Sequence, residues 1–546
     1  MRHRKALIAT LLSAAMVLAA CSSGGSGGST TTSGGSSSSD TANQNSSTTP
    51  SGGSSDTAAA TPTETPVSGG SITVGEAGGI PQLNPAIRTF AAEEILFPLL
   101  WNGLTKTDQD GKVVPDLATS WKASDDQKTW TFTLRDGVTF SDGSAFTAQD
   151  VVDTFEYYLK PTTATQEANK IATIESVKAT EPNTVTFTLK APNALFPSAI
   201  VWIKMMKMSA LSTIDKDPIG TGPFVVKDFV PSDHLTLVRN DKYFGGPAPL
   251  DQIKIVATND AASASSSLAS GNLDILWALP LSNVAQYKNS DKISIVLPKT
   301  PSQWPSWEVD TTSPPFNNVK ARQALAYVVD RQQVLDAAYF GEGELSPTND
   351  PLGTSNPWFS ANGLTDYSYN LNKAKELFAE AGVKAGDTLT WWGIAGSYPE
   401  WNTSGQILQA SLRQIGINLK IENNDIATWV AKFYPAGKSY PGLIVPNFQS
   451  TPVEPAFSIN FLLKGRCECN WDDANFTAAY NKALAEPDAD KRKADWAEVQ
   501  KIVNEQVPVI VPLQSNVATA VSKKITGVWV EGGGQLHLES VSLTNK

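Results

Sequence analysis

Residues 115–155 read PDLATSWKASDDQKTWTFTLRDGVTFSDGSAFTAQDVVDTF. Trp121 opens one β-run. Ser124, Asp125, Asp126 and Gln127 supply turn chemistry, because short polar side chains bond their own backbone. Trp130, Phe132 and Leu134 then alternate with Thr131, Thr133 and Arg135, the period of a half-buried strand. Asp142-Gly143 marks a second tight turn. Thr147 and Asp150 are spaced as in a capping box, ahead of the apolar positions Val151, Val152 and Phe155. The stretch predicts a hairpin followed by a helix start, and nothing in it is catalytic.

The chain has 546 residues and a formal charge of −11. That length predicts more than one domain. The acidic balance argues against nucleic acid or anionic lipid as a partner. Arg2, Arg4 and Lys5 precede the apolar run Ala6–Ala20, which at fifteen residues is short of the ~20 needed to span a bilayer. It reads as the core of a signal peptide. The run ends in Leu18-Ala19-Ala20-Cys21, which resembles a bacterial lipobox. That resemblance implies cleavage before Cys21 and a diacylglyceryl group on its thiol. Two acyl chains would give stable anchoring, at ~0.8 kcal/mol per buried CH₂. Loss of the three basic residues would leave the chain at about −14.

Residues 21–67 are Ser, Gly, Thr, Ala and Pro with almost no large apolar side chain, too little to bury for folding. About 45 residues of this kind have a reach of roughly 35–40 Å as a tether. Gly24-Gly25-Ser26-Gly27-Gly28 matches a hydrolase pattern in letters only, because neither strand nor helix flanks it. Cys467 and Cys469 remain, as a disulfide or as two free thiols. No His lies near them, which disfavours a metal.

Ordered structure is expected from about Gly69. Ser71–Val74 reads as a strand, Glu76–Pro85 as a Gly/Pro loop, and Ala91–Leu100 as a helix leading into Trp101-Asn102-Gly103-Leu104-Thr105. Beyond the opening stretch lie the strand Thr184–Leu189 and the block Ile219-Gly220-Thr221-Gly222-Pro223-Phe224, with Arg239, Asn240 and Tyr243 after it. Next come SSLASGNLDIL at 266–276 and FNNVKARQALAYVVDRQQVLDAAY at 316–339, the latter an amphipathic helix pair. A helix at 371–382, a strand at 389–392, a helix at 404–416 and a strand at 417–421 make an α/β lobe. A long helical region follows Asp472, and residues 507–513 read as a return strand.

These blocks, in this order from Gly69 to the C-terminus, resemble the peptide-type (family 5) solute-binding proteins of ABC importers. The resemblance implies an α/β, bilobal, periplasmic-binding-protein-like fold with a hinge between two α/β lobes and a subdomain inserted in the first. The boundaries drawn on it are a signal peptide at 1–20, a tether at 21–67 and lobe I at 68–109, 216–304 and 509–546. The insertion takes 110–215 and lobe II takes 305–508. Hinge segments are expected near 298–310 and 505–514.

No catalytic set is found. Gly437-Lys438-Ser439 lacks the rest of a phosphate cradle. His234 and His537 are far apart, and Asp125-Asp126 and Asp472-Asp473 read as turn or helix-start pairs. Aromatic clusters beside loops are the better ligand candidates: Trp304 and Trp307; Trp391 and Trp392, with Tyr398 and Trp401; Trp429, Phe433 and Tyr434. Gly78, Gly79 and Ile80 join them from the first lobe. In peptide-binding relatives an Asp in the second lobe meets the peptide amine. The matching stretch here runs from Val445 through Asn447, Phe448 and Gln449 to Glu454-Pro455, and the expected Asp is missing. An ammonium contact would need Glu454 or another acid, and oligosaccharides become an alternative ligand. The expectation is a monomeric binding protein with no enzyme activity, no cofactor and no metal. It is tethered outside the cytoplasm by Cys21 and hands a peptide or other small solute to permease subunits.

Overall fold

The computed structural model describes residues 66–545 apart from 88–90, 161–167, 169, 259, 396–397, 434–438 and 451. Cys21, Tyr434, Gly437 and Lys438 lie outside the described residues.

Two seven-stranded sheets among the described residues divide the chain. The first has the order Ile293–Val296, Ala518–Ser522, Ile275–Leu279, Ser71–Ala77, Gln252–Thr258, His234–Arg239, Phe224–Val230. The second has Gly343–Leu345, Leu513–Ser515, Gln303–Val309, Leu443–Ser450, Thr388–Ile394, Asn418–Asn424, with Val509–Ile510 also paired to Gln303–Val309. The chain therefore passes from first sheet to second and back, crossing at 297–302 and 516–517. Gln303 pairs with Ser515, Ser302 N donates to Ser515 O, and Val517 N donates to Ser302 Oγ, so the two crossings are tied side by side.

This corrects three boundaries. Residues 303–304 and 509–515 belong to the second sheet and not to lobe I, because their pairing partners are there. The second crossing falls at 516–517, after the expected 505–514. Pairing also starts earlier than Gly69, since Pro66–Val67 lies antiparallel to Ser542–Thr544. The return strand is split into two pieces around Pro512, which has no N–H to give to a ladder. The helical region after Asp472 is likewise two helices, Ala474–Ala485 and Ala489–Gln506. Pro487 separates them, and Asp488 caps the second by accepting from Asp490 N and Lys491 N.

The opening stretch forms as read. Ala118–Ala123 and Thr129–Leu134 pair antiparallel and join Thr184–Leu189 and Ile174–Glu181 in a separate four-stranded sheet within the first lobe. Thr147 N and Oγ1 both donate to Asp150 Oδ2 at the start of helix Ala148–Leu159. That helix lays Phe155 edge-on against Phe187 at 4.8 Å, and Phe132 meets Phe187 at 5.5 Å. All three rings are fully buried, and each such pair adds about 0.5–1.5 kcal/mol beyond its area term. Trp130 is buried in the same core and Trp121 is packed against it. The inserted unit also touches the second lobe: Ala194 N donates to Leu484 O at 2.9 Å, and Leu195 packs in the cluster that holds Trp304.

Strand directions locate the cleft. Ile293–Val296 runs parallel to Ser71–Ala77 through two antiparallel steps, so the crossing leaves the first sheet at the C-terminal ends of its parallel strands. Gln303–Val309 starts at the crossing and runs away from it. Leu443–Ser450 is antiparallel to that strand, and Thr388–Ile394 and Asn418–Asn424 are parallel to Leu443–Ser450. Their C-terminal ends therefore also face the crossing. Ligands of open α/β sheets bind outside the carboxyl ends of the strands, and here two such edges face one another.

Candidate functional site

A cavity of ≈ 160 Å³ has walls from both lobes. Glu94, Lys170, Trp202 and Gly533 wall it from the first lobe, and Gln449, Phe457, Ser458, Asn460 and Phe461 from the second. A smaller space beside it brings Trp202 and Gly111 against Val453 and Glu454. A third, of ≈ 200 Å³, lies toward the crossing between Asp110, Lys299, Val453 and Gly532, with Asp110 and Lys299 ion-paired.

Each wall is supported from behind. Trp202 is half-buried against the first-lobe core, and Lys170, which lines the same cavity, sets its Nζ over the ring at 4.8 Å from the centroid. The second-lobe wall is the turn of helix Pro455–Ile459 and the 3₁₀ turn after it, Asn460–Leu462. Trp304 stands under that turn, fully buried. Its ring meets Phe461 edge-on at 5.2 Å and its Nε1 donates to Ser458 Oγ at 3.3 Å. The Glu531–Gln535 loop joins strands Trp529–Val530 and Leu536–His537. His537 lies flat on Trp529 at 3.6 Å, with Nε2 3.3 Å from Glu531 and Nδ1 2.9 Å from Glu539. Burial disfavours the imidazolium, but Glu539 and Glu531 outweigh it and raise the ring to about 9. The charged His537 thus holds the root of the loop. A further cavity of ≈ 40 Å³ beside this group is lined by first-lobe residues, including Asp116, Lys204 and Glu539, and has no wall from the second lobe.

The sequence candidates divide. Gln449 lines the cavity of ≈ 160 Å³, and Glu454 lines its smaller neighbour. Glu454 Oε1 is shielded from solvent without a hydrogen-bond partner. Burial raises the carboxyl to about 7, against the pull of Arg492 and the Trp496 indole. Phe448 is 42 % exposed beside Tyr398 and Trp401. Asn447 turns inward, its Nδ2 donating to Glu308 Oε1 at 3.1 Å and its Oδ1 accepting from Phe448 N. Burial raises that Glu308 to about 8. Gly78 sits in open space at the mouth of the first sheet, whereas Gly79 and Ile80 pack on the Ser232 turn, with Ser232 N donating to Ile80 O.

Four tryptophans require correction. Trp304, Trp307, Trp391 and Trp392 are core side chains and do not line the cleft. Trp307 and Trp391 meet edge-on at 5.1 Å, and Gly405 is pressed on the Trp391 ring. Trp392 O accepts from Trp429 Nε1. The reason is that both strands are covered on both faces where the tryptophans stand: Trp304 to Val309 are all buried in Gln303–Val309, and Trp391 to Ile394 are all buried in Thr388–Ile394. The Sγ atoms of Cys467 and Cys469 are bonded to each other. Thr311 N donates to Cys469 O, which pins this loop beside strand Gln303–Val309. Sequence reasoning missed Trp202, Phe457, Phe461 and Gly533. Trp202 is a lone aromatic in an apolar run and reads as core, and a glycine carries no chemical signal.

Among the described residues no group of three or more His, Cys, Asp or Glu could hold a metal ion, and no helix is long and apolar enough to cross a membrane.

Relatives match most of this chain. The probable D,D-dipeptide-binding periplasmic protein DdpA of Escherichia coli K12 is 26% identical over 483 residues, covering 84% of this chain and 90% of that protein. The heme-binding protein A of Haemophilus influenzae is 28% identical over 452 residues, covering 76% and 81%. Among solved structures, the ABC transporter substrate-binding protein CtaP of Listeria monocytogenes superposes with a TM-score of 0.77 at 21% identity, over 88% of this chain and all of that one. The oligopeptide-binding protein AppA of Bacillus subtilis, in complex with a nonapeptide, gives 0.75 at 22%, again over 88% of this chain and all of that one. The sequence profile of the bacterial extracellular solute-binding proteins, family 5 Middle, matches residues 112–466. A cleft walled by two lobes is what a solute-binding protein needs, and this chain belongs to family 5 of the bacterial extracellular solute-binding proteins.

Proposed function

We propose that the solute is a short peptide, enclosed between Trp202 and Gly533 on one side and Gln449, Phe457, Asn460 and Phe461 on the other. The observation that carries this reading is a cavity whose walls come from both lobes. A ligand there contacts the two lobes at once and so favours the closed arrangement over the open one. The names of relatives support peptide as the solute: D,D-dipeptide, dipeptide and glutathione-binding proteins. Glu454 is the acid placed to meet an ammonium group, in place of the absent Asp. The chain acts as a monomer, held outside the cell membrane through a lipid on Cys21, and delivers its solute to the permease of an ABC importer.

A second reading has one observation in its favour. The second-lobe wall sets two amides, Gln449 and Asn460, beside aromatic rings, which suits an oligosaccharide. Native mass spectrometry of the full chain with competing peptides and cello- or malto-oligosaccharides separates the two. Retention of peptides is expected; a mass shift with sugars alone would overturn the peptide assignment.

A further inference from the structure

The Glu531–Gln535 loop contains three successive glycines, and two of them differ in what holds them as glycine. Gly534 has φ +91°, a conformation that L side chains rarely adopt. Gly533 has no such constraint. A Cβ built on it would meet Glu531 Oε1 at 3.5 Å and Trp202 Cζ2 at 3.8 Å, both ordinary contacts. Neither backbone nor packing requires glycine at 533. What its missing side chain does leave is space, on the wall shared with Trp202, in a cavity of ≈ 160 Å³. A cavity of roughly 150 Å³ is the size that accepts a benzene ring. The same space is lined by Phe457, Phe461, Gln449 and Asn460 from the second lobe, and by Glu94 and Lys170 beside Trp202.

We infer that this protein selects solutes carrying one flat, ring-sized face, seated among Trp202, Phe457 and Phe461, and that Gly533 sets the size limit. The inference rests on the reading of this cavity as the solute site. The shared chemistry is the ring face, which an aromatic side chain of a peptide or a pyranose ring can supply. A β-carbon or larger group at 533 takes up the ring's space without disturbing the hairpin beneath, which is fixed by the Trp529–His537 stack.

The test is calorimetric titration of the full chain, wild type and Gly533→Ala and Gly533→Val, with four peptide probes and one sugar. The peptides are Ala-Ala-Ala, Phe-Ala-Ala, Ala-Phe-Ala and Ala-Ala-Phe; the sugar is cellotriose. Thermal melting of each variant confirms that the fold is retained. The expected result is at least one Phe peptide bound tenfold or more tightly than Ala-Ala-Ala. That preference should shrink with Gly533→Ala and be lost with Gly533→Val. Equal or tighter binding of Ala-Ala-Ala, or a preference untouched by Gly533→Val, overturns the ring inference and leaves peptide binding standing. Binding of cellotriose alone, weakened by Gly533→Val, upholds the ring inference and overturns the peptide assignment. No binding of any ring-bearing probe overturns both.

Discussion

The inserted four-stranded sheet and the wall of the cleft are both rich in aromatic rings, and they use them in opposite ways. In the insertion, Phe132 and Phe155 both meet Phe187, and all three rings are fully buried. In the cleft wall, Phe461 rests on Trp304 and Trp202 on the first-lobe core, and both rings still line the cavity. A ring with neighbours all round contributes to folding. A ring supported from behind and open in front keeps part of its contact area for a ligand. The two regions should therefore respond to mutation in different measurements.

The largest effect is expected in the insertion. Phe187→Ala should lower stability by about 3–5 kcal/mol, the usual range for a buried ring, read from urea denaturation. The folded remainder should bind solute with unchanged affinity; a parallel loss of affinity at full saturation of folding would break the separation. Next is a buried acid behind the second-lobe wall. Glu308 titrates near 8 when folded, from an ordinary 4.5. The folded state therefore binds a proton that the unfolded state has released, and stability falls as pH rises from 4.5 through 8. Between pH 5 and pH 8 the loss is about 3 kcal/mol from this group. Glu308→Gln should flatten that part of the stability-against-pH curve, and an unchanged slope would show that the carboxyl is not protonated in the fold. The smallest effect on stability belongs to the cleft itself. Gln449→Ala and Asn460→Ala should each stay within about 0.5 kcal/mol of wild type while lowering solute affinity roughly two- to tenfold, the worth of one hydrogen bond. Destabilisation without loss of affinity would move these residues from cleft to scaffold.

The same contrast explains what could be read from the sequence. The insertion is legible because its signals are local: a period of two from Trp130 to Leu134, turns at Ser124–Gln127 and Asp142-Gly143, and a cap at Thr147 whose partner is three residues away. The family pattern around Gly220-Thr221-Gly222 is legible for a similar reason. Any side chain at Gly220 would strike Leu100 O, so the backbone itself demands the motif. The cleft wall assembles from Trp202, residues 449–461 and residues 531–534, which are far apart in the chain, and no local rule joins them. Proximity to a loop was a poor guide to exposure. Trp391 and Trp392 sit in the middle of strand Thr388–Ile394, which is paired on both edges and buried on both faces at their positions. Gln449, one residue beyond the exposed Phe448, does reach the cavity because strand Leu443–Ser450 ends at the crossing.

The paired crossings have a mechanical consequence. The segment at 516–517 is only two residues long, and it is stitched to its longer neighbour through Ser302, Gln303 and Ser515. Two residues span about 7 Å at most, so the lobes cannot drift apart or slide past one another by much. A two-stranded ribbon flexes far more readily across its flat face than within its plane, and it leaves the halves of the molecule essentially one soft coordinate, an angle. A protease cut anywhere in 297–302 would leave the halves joined through 516–517, so a nicked molecule should stay in one piece and keep opening and shutting. The joint is built with a spare, and the solute comes and goes through the bending of a strap while both folds on either side of it stay intact.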